Sequence, residues 1–372
     1  MKRANHVNHV NHVNRVNRVN RVKRVERSLA QPRAPVQGAG YHARFVGGAA
    51  APPTLSAAMQ LTPRLIAQLT LPPFLWAGNA VAGRLLVPLV PPLMLNALRW
   101  TGALILLLLL GRAAVATPAR RAAILARWPY FVVLGALGVG AYNALQYLAL
   151  TTSTPINVTL IAASMPLWML SVGALFFHER PRGQQLLGAA LSLAGVATVM
   201  SRGHPSALAQ VQFVQGDLFM LAAAASWAGY SWLLVRPPAS MQGAQRPGIE
   251  QADGSQRPWN WAEFLLVQAL FGIVWAGGAA GVEALVAPRT PQWTPLVGLL
   301  LVYIVVGPSL LAYWFWGRAV AQAGPTTAGM FGNLTPLFAA MMSTALIGDA
   351  PQPYHALAFT LIVAGIVVSA RR

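Results

Sequence analysis

The sequence contains no cysteine among its 372 residues, and only 9% of those residues are charged. The absence of cysteine excludes a disulfide framework, a thiolate nucleophile and a cysteine-based metal site. The low charge is equally informative, because about a quarter of the residues in a soluble domain are charged. Too few charged groups remain to cover the surface of a water-soluble globule, so the chain is predicted to be an integral membrane protein.

Long apolar runs make up the rest of the chain, which is 56% hydrophobic with a mean hydropathy of +0.52. Backbone polar groups in a bilayer must bond within the segment, so runs of spanning length must be helices. The sequence therefore predicts an all-α integral membrane protein with ten transmembrane helices. The runs lie at about 65–86, 91–111, 129–149, 155–177, 184–201, 215–235, 261–286, 295–317, 325–347 and 354–370.

Residues 1–64 form a separate basic segment. They hold both lysines of the chain and more than half of its net charge of +19. Residues 5–25 repeat Asn-His-Val and then Asn-Arg-Val, a period of three that fits neither helix nor strand, with too little apolar bulk for a core. We interpret residues 1–64 as a disordered tail, and we expect no nucleic-acid partner.

The arginines predict the orientation of the chain. Beyond residue 64, most of them fall in the loops after spans two, four and six and at the chain end, whereas Arg202 and Arg289 fall on the other side. Loops rich in arginine face the cytoplasm. We therefore expect a multi-pass protein of the cell inner (plasma) membrane, with both termini and the long loop at about 237–260 cytoplasmic.

The chain matches itself when shifted by 170 residues, and a shorter match aligns Trp76-Ala77-Gly78 with Trp227-Ala228-Gly229. Each copy, residues 65–202 and 203–372, contains five predicted spans, so the second copy must enter the membrane inverted. Two inverted copies around a central cavity are a recurring transporter plan. The shift of 170 aligns Pro166 with Pro336, Leu167 with Leu337, Glu179 with Asp349, and Gly195 with Gly365.

These repeated motifs, together with Arg99 within Leu95-Asn96-Ala97-Leu98-Arg99-Trp100 and the Glu179-Arg180-Pro181 turn, resemble the EamA domain of the drug/metabolite transporter (DMT) superfamily. The resemblance covers about residues 65–372. It implies a ten-helix secondary transporter, often an exporter of amino acids or other small metabolites, that works by alternating access. It does not fix the substrate.

Arg99 is the first candidate for substrate binding. It lies near the middle of span two, where a cation costs about 2.5–3.5 kcal/mol on insertion scales. One interpretation makes its guanidinium an anchor for an anionic group such as a substrate carboxylate. The other makes it a structural lock between helices, and the sequence leaves both interpretations open.

Further candidates for substrate binding are polar or aromatic side chains at spanning depth. A solvated cavity would supply their hydrogen-bond partners and would suit amphiphilic metabolites, whereas interhelical bonds and interfacial belts are the alternative. Pro166 and Pro336 are candidate hinges. The candidate residues are Trp76, Asn79, Asn143, Gln146, Tyr147, Ser164, Trp227, Tyr230, Tyr313, Trp316 and Asn333.

Rival functions find less support in the sequence. An embedded enzyme would need a nucleophile with a base, paired carboxylates or metal ligands at spanning depth, and no such motif occurs, so we expect no catalytic residue, metal or cofactor. Asp217 and Glu263 open spans six and seven and are interpreted as helix caps. A receptor, scaffold or channel stays open as the alternative to a carrier, and the sequence does not indicate an oligomeric state.

Overall fold

The computed structural model of the protein describes residues 62–153, 158, 161–210, 214–251, 254–347 and 352–370. The predicted tail, up to residue 61, and Asp349 lie outside these ranges. Almost all of the described chain is helical. The first helices are α1 Pro63–Leu86, α2 Pro92–Gly111, α3 Pro118–Leu125, α4 Trp128–Gly135, α5 Tyr142–Thr152, α6 Met165–Phe177 and α7 Gly183–Met200.

The later helices include the longest unbroken one, α9, with 26 residues. They are α8 Gln215–Val235, α9 Trp261–Val286, α10 Pro295–Ile304, α11 Ala312–Gly332, α12 Leu334–Ile347 and α13 Pro353–Ala370. Helices α4 and α5 join through a π-helical segment at Ala136–Ala141, and α10 and α11 join through another at Val305–Leu311. The shift of 170 residues that aligns the two halves of the sequence also aligns these two segments.

Seven helices of the described chain are long and apolar enough to cross a membrane, and α6 is apolar but shorter. One of the seven is the 38-residue run Pro295–Gly332. Gly324 interrupts this run with a φ of 80°, a left-handed conformation that glycine tolerates, and Pro325 follows it. The protein is therefore an all-helical membrane protein, with seven candidate spans among the residues that the structure describes, and the ten-span topology stays a prediction.

The acidic residues at the starts of α8 and α9 are helix caps, as interpreted from the sequence. Asp217 accepts the backbone N–H of Val214 at 2.8 Å, and Glu263 accepts that of Asn260 at 2.7 Å. Asn260 in turn accepts the backbone N–H of Glu263 at 2.9 Å, which completes a capping box. Two bonds from Arg257, at 2.6 and 2.8 Å, neutralise Glu263, and this pairing raises the pKa of Arg257.

Helices α7 and α13, which have 18 residues each, match under the same shift and pack against each other. A Cβ atom placed on Gly195 would lie 2.8 Å from the carbonyl oxygen of Ala358, and one on Gly365 would lie 2.5 Å from that of Gly188. The shift converts the first contact into the second, a reciprocity typical of twofold-related surfaces. These glycines thus permit the close approach of the two helices.

The loop before α9 contains structure that the sequence did not predict. Strands β1 Gly248–Glu250 and β2 Gln256–Pro258 form a short antiparallel hairpin. Arg127, between α3 and α4, holds this loop by donating to the carbonyl oxygens of Ser240 at 2.8 Å and Gln245 at 2.5 Å.

Candidate functional site

Arg99 lies at the centre of a polar cluster, hereafter the arginine cluster, that joins four helical segments. Its Nη1 atom donates to the Oδ1 atoms of Asn79 at 3.1 Å and Asn143 at 2.8 Å, and to the Tyr147 hydroxyl at 3.2 Å. Its Nε atom donates to the Ser309 hydroxyl at 2.5 Å. The cluster thus brings together α1, α2, α5 and the π-helical segment before α11.

The charge of Arg99 has no acidic partner among the described residues, where the two ion pairs are Arg236–Glu179 and Arg257–Glu263. The residue is 0% exposed, and its Nη2 atom has no hydrogen-bond partner. A buried cation is usually paired with an opposite charge, because its desolvation is otherwise uncompensated. Four neutral oxygens orient this guanidinium and leave one nitrogen available for an anion.

A cluster of aromatic rings, hereafter the aromatic cluster, lies beside the arginine cluster and joins both halves of the chain. The Trp227 ring centroid is 5.2 Å from that of Trp76, 5.2 Å from that of Tyr313 and 5.6 Å from that of Trp316. Tyr230 lies 5.0 Å from Trp227. Ring separations of this size are direct contacts, so the rings themselves occupy the space between α1, α8 and α11.

The polar ends of these rings bond to the backbone where the helices are irregular. The Tyr313 hydroxyl donates to the carbonyl oxygen of Gly138, and the Trp76 Nε1 atom donates to that of Pro308 at 3.4 Å. Gly138 and Pro308 are equivalent under the shift of 170 residues, and each lies in a π-helical segment. Such segments disturb the regular helical ladder and occur frequently at functional sites. The aromatic cluster is thereby tied to both irregular segments.

Three predicted site residues lie outside both clusters. Gln146 is half-buried, and no hydrogen bond joins it to either cluster within the described ranges. Ser164 donates its hydroxyl to the carbonyl oxygen of Ile161 at 2.6 Å, a local bond. Asn333 is 0% exposed, and neither its Oδ1 nor its Nδ2 atom has a hydrogen-bond partner. An orphaned buried amide is costly, so Asn333 is a functional candidate in its own right.

The two candidate hinge prolines occupy comparable places. The helix is broken just before each of them, at Ser164 and at Asn333, and Pro166 and Pro336 then lie in the first turns of α6 and α12. Proline is well tolerated in a first turn. These prolines therefore do not bend a continuous helix, and their role as hinges stays a prediction.

Sequence reasoning missed three residues of the two clusters. Ser309 completes the arginine cluster, Trp100 packs 5.1 Å from Tyr313, and Tyr142 packs 5.1 Å from Trp227. Trp100 follows Arg99 directly, and Tyr142 precedes Asn143, so both stood beside residues already singled out. Ser309 gave no such signal, because its placement depends on the π-helical segment around it.

Contacts at loop ends connect the two halves away from the clusters. The Glu283 carboxylate, at the end of α9, accepts the backbone N–H groups of Leu93 at 3.1 Å and Met94 at 2.8 Å, at the start of α2. The backbone N–H of Gln292 donates to the carbonyl oxygen of Leu89 at 2.8 Å. These bonds join the end of α9 to the start of α2, and the loop before α10 to the loop before α2.

Comparison with known proteins gives concordant matches. The model of the EamA-like transporter family matches residues 65–201 and 252–371. The chain is 24% identical to a probable amino-acid metabolite efflux pump of Salmonella typhimurium, over 79% of this chain and 90% of that protein. It is 26% identical to the aromatic amino acid exporter YddG of Ancylobacter novellus, over 75% and 88% of the two chains.

A solved crystal structure shares the fold. It matches with a TM-score of 0.60 at 22% sequence identity, covering 82% of this chain and 96% of the other. At this sequence identity the match supports a shared fold and says nothing about function. The site geometry is thus set in a fold that a solved structure shares over most of its length.

Proposed function

The chain belongs to the EamA-like transporter family, and from this premise we propose that it is a secondary transporter that exports small metabolites such as amino acids. Membership makes it a membrane transporter and not an enzyme. The finer proposal draws support from the relatives, two of which are described as a probable amino-acid metabolite efflux pump and an aromatic amino acid exporter. The proposed setting is the inner membrane, with both termini in the cytoplasm.

The observation that carries this proposal is the unneutralised guanidinium of Arg99. It is fully buried, it is held by neutral oxygens from three other helical segments, and its Nη2 atom is free. A carboxylate that reached Nη2 would remove the unpaired charge and the unsatisfied donor at once. We therefore propose that Arg99 binds the carboxylate of an amphiphilic metabolite.

The aromatic cluster is the proposed partner for the apolar part of the same substrate. Its rings are in contact in this conformation, so a substrate can enter only when α1, α8 and α11 separate. Such a separation, alternating between the two faces, is the expected mechanism for two repeated halves around a shared site. Substrate and ring–ring contacts would then compete for the same space.

The first test replaces the guanidinium. We expect Arg99→Lys and Arg99→Ala to abolish transport while the amount of protein in the membrane stays normal, because lysine keeps the charge but lacks the planar fork. Arg112→Ala, which removes an exposed arginine just beyond the same helix, is the matched control and should transport normally. If the membrane level of the Arg99 variants falls as far as their activity does, the residue is a structural lock instead.

A second variant separates orientation from binding. Ser309→Ala removes the bond to Nε but leaves Nη2 untouched. On the anchor proposal it retains measurable transport at a raised KM, because the guanidinium stays in place but is less well oriented. On the lock interpretation, Ser309→Ala and Arg99→Ala both act by lowering membrane levels.

The transport class itself is tested in proteoliposomes loaded with radiolabelled amino acids. Efflux that saturates with substrate concentration supports a carrier, whereas the absence of efflux for every amino acid and related carboxylate favours a receptor or scaffold. Single-channel currents would favour a pore. A metabolite survey of cells and medium after deletion and overexpression identifies which substrates to load.

A further inference from the structure

A cavity of about 540 Å³ lies away from both clusters, where α4 begins and α8 ends. Its lining is divided. Arg127, Arg236 and Ser240 contribute polar groups, whereas Val133 and Leu233 belong to an apolar wall. The proposed transport pathway uses none of these side chains.

The polar part of the cavity carries an excess of positive charge. The three bonds of the Arg127 guanidinium go to neutral backbone carbonyl oxygens, those of Ala123, Ser240 and Gln245. Arg236 pairs with Glu179 in an ion pair whose side chains are 46% and 35% exposed. The cavity lining therefore holds two guanidiniums and no carboxylate, only one of the two is paired with Glu179, and the uncompensated charge is complementary to an anion.

The surroundings place the cavity at the level of a bilayer interface. Trp128 is 56% exposed and directly precedes the cavity wall, and exposed tryptophans are typical of the lipid headgroup level. The short helix α3 beside it combines half-buried Arg120 and exposed Arg121 with Leu125, which is 61% exposed. A short helix with arginines and an exposed leucine suits the boundary between headgroups and acyl chains.

The apolar wall continues toward the hydrocarbon. Val133 lies one and a half helical turns beyond Trp128 and is 46% exposed, so lipid chains can reach it from outside the protein. A soluble anion would gain nothing from such a wall. A ligand with a phosphate at one end and hydrocarbon at the other would use both parts of the cavity.

We propose that this cavity binds one anionic phospholipid, with its phosphate at Arg127 and Arg236 and an acyl chain along Val133 and Leu233. Basic pockets between helices at the membrane surface are suited to acidic lipid headgroups. The Glu179–Arg236 pair regulates the site, because Glu179 competes with the phosphate for the same guanidinium.

The test titrates the purified full-length protein with phosphatidylglycerol and with phosphatidylcholine of identical chains, and counts bound lipid by native mass spectrometry. Phosphatidylglycerol should bind at lower concentration than phosphatidylcholine. Arg236→Gln should weaken phosphatidylglycerol binding about fivefold, the usual effect of one arginine at a lipid surface. Glu179→Gln should strengthen it, since Arg236 is then released.

Arg182→Gln is the matched control, because this exposed arginine lies outside the cavity lining and should leave the affinity unchanged. Glycerol phosphate, which has the phosphate without chains, should compete only weakly. Equal binding of the two lipids, an unchanged affinity in both Arg236→Gln and Glu179→Gln, or full competition by glycerol phosphate would each overturn the proposal. The opposite signs expected for the two variants exclude a general loss of folding as the explanation.

Discussion

At the scale of single residues, a buried polar group without a hydrogen-bond partner lowers the stability of the fold. Asn333 is the sharpest case, since both ends of its amide are buried and unpaired. Asn96 is a natural comparison: it is equally buried, but its Nδ2 atom donates to the carbonyl oxygen of Val139 at 3.1 Å. We infer that the amide of Asn333 forms its hydrogen bonds in another state of the transporter, with a substrate or with a different residue.

Replacing the two asparagines should therefore have opposite consequences. Asn333→Leu removes an unsatisfied amide, so we expect the free energy of unfolding to stay level or to rise by up to about 1–3 kcal/mol, while transport falls. Asn96→Leu breaks an existing bond and should lower stability. Denaturant unfolding in detergent, paired with a transport assay, measures both effects. Equal destabilisation by the two variants would assign Asn333 a purely structural role.

The sequence singled out most members of the arginine cluster, and the reason is energetic. Arg99, Asn79, Asn143 and Tyr147 stand out because polar groups at spanning depth must find one another, and the structure joins all four. The same argument cannot say which contacts form. Gln146 lies one turn from Asn143 yet takes part in neither cluster, a result that depends on helix rotation.

At the scale of secondary-structure elements, the close packing of α7 against α13 depends on glycines. Any Cβ atom on Gly188 would lie 2.5 Å from the carbonyl oxygen of Gly365, closer than real contacts allow. Because backbone cannot move aside as a side chain can, a substitution there must separate the helices.

We expect Gly188→Ala to lower the free energy of unfolding by about 1–3 kcal/mol, the usual cost of overpacking. Gly183→Ala is the control, since this glycine begins the same helix and a Cβ there meets nothing within 4 Å. Thermal unfolding in detergent compares the two. If both variants unfold at the same temperature as the unsubstituted protein, this contact does not hold α7 and α13 together.

The bounds of some helices were predictable, whereas helix breaks and irregularities were not. Apolar runs and flanking prolines set the limits of α1 and α9 within a few residues, because length and hydropathy decide which segments span. The π-helical segments at Ala136–Ala141 and Val305–Leu311 leave no comparable mark in composition. The hairpin of β1 and β2 was missed for a similar reason, since its strands have only three residues each.

At the scale of the whole molecule, the bonds between loop ends fix one face of the bundle. Gln292 and Leu89 share a backbone hydrogen bond of 2.8 Å across that face. In addition, Arg289 donates to the carbonyl oxygen of Val87 at 2.6 Å. If access alternates between the faces, these contacts must break in every transport cycle.

A cysteine pair tests this directly. The protein has no cysteine of its own, so Leu89→Cys together with Gln292→Cys introduces the sole pair of thiols. We expect oxidation to join them and abolish transport, and reduction to restore it, because closely apposed backbones can meet disulfide geometry. Each single variant should transport normally under both conditions. Full transport by the oxidised, cross-linked protein would contradict alternating access at this face.

The proposed topology has an equally plain test in the same background. Single cysteines at Ser240 and Gln292 should react with an impermeant thiol reagent from opposite faces, and tags at both chain ends should be reached from the same face as Ser240. Labelling of both cysteines from one face would refute the inverted arrangement. Tags reached from opposite faces would refute the proposal of ten spans.

The matched π-helical segments bear on the history of the chain. A π turn accommodates one residue more than an α turn, so each segment carries one residue beyond the regular helical repeat. The two extra residues occupy equivalent places, at Ala136–Ala141 and Val305–Leu311. Two independent events at the same register are a poorer explanation than one event copied by gene duplication. One repeat that already carried the irregular turn before duplication accounts for both segments.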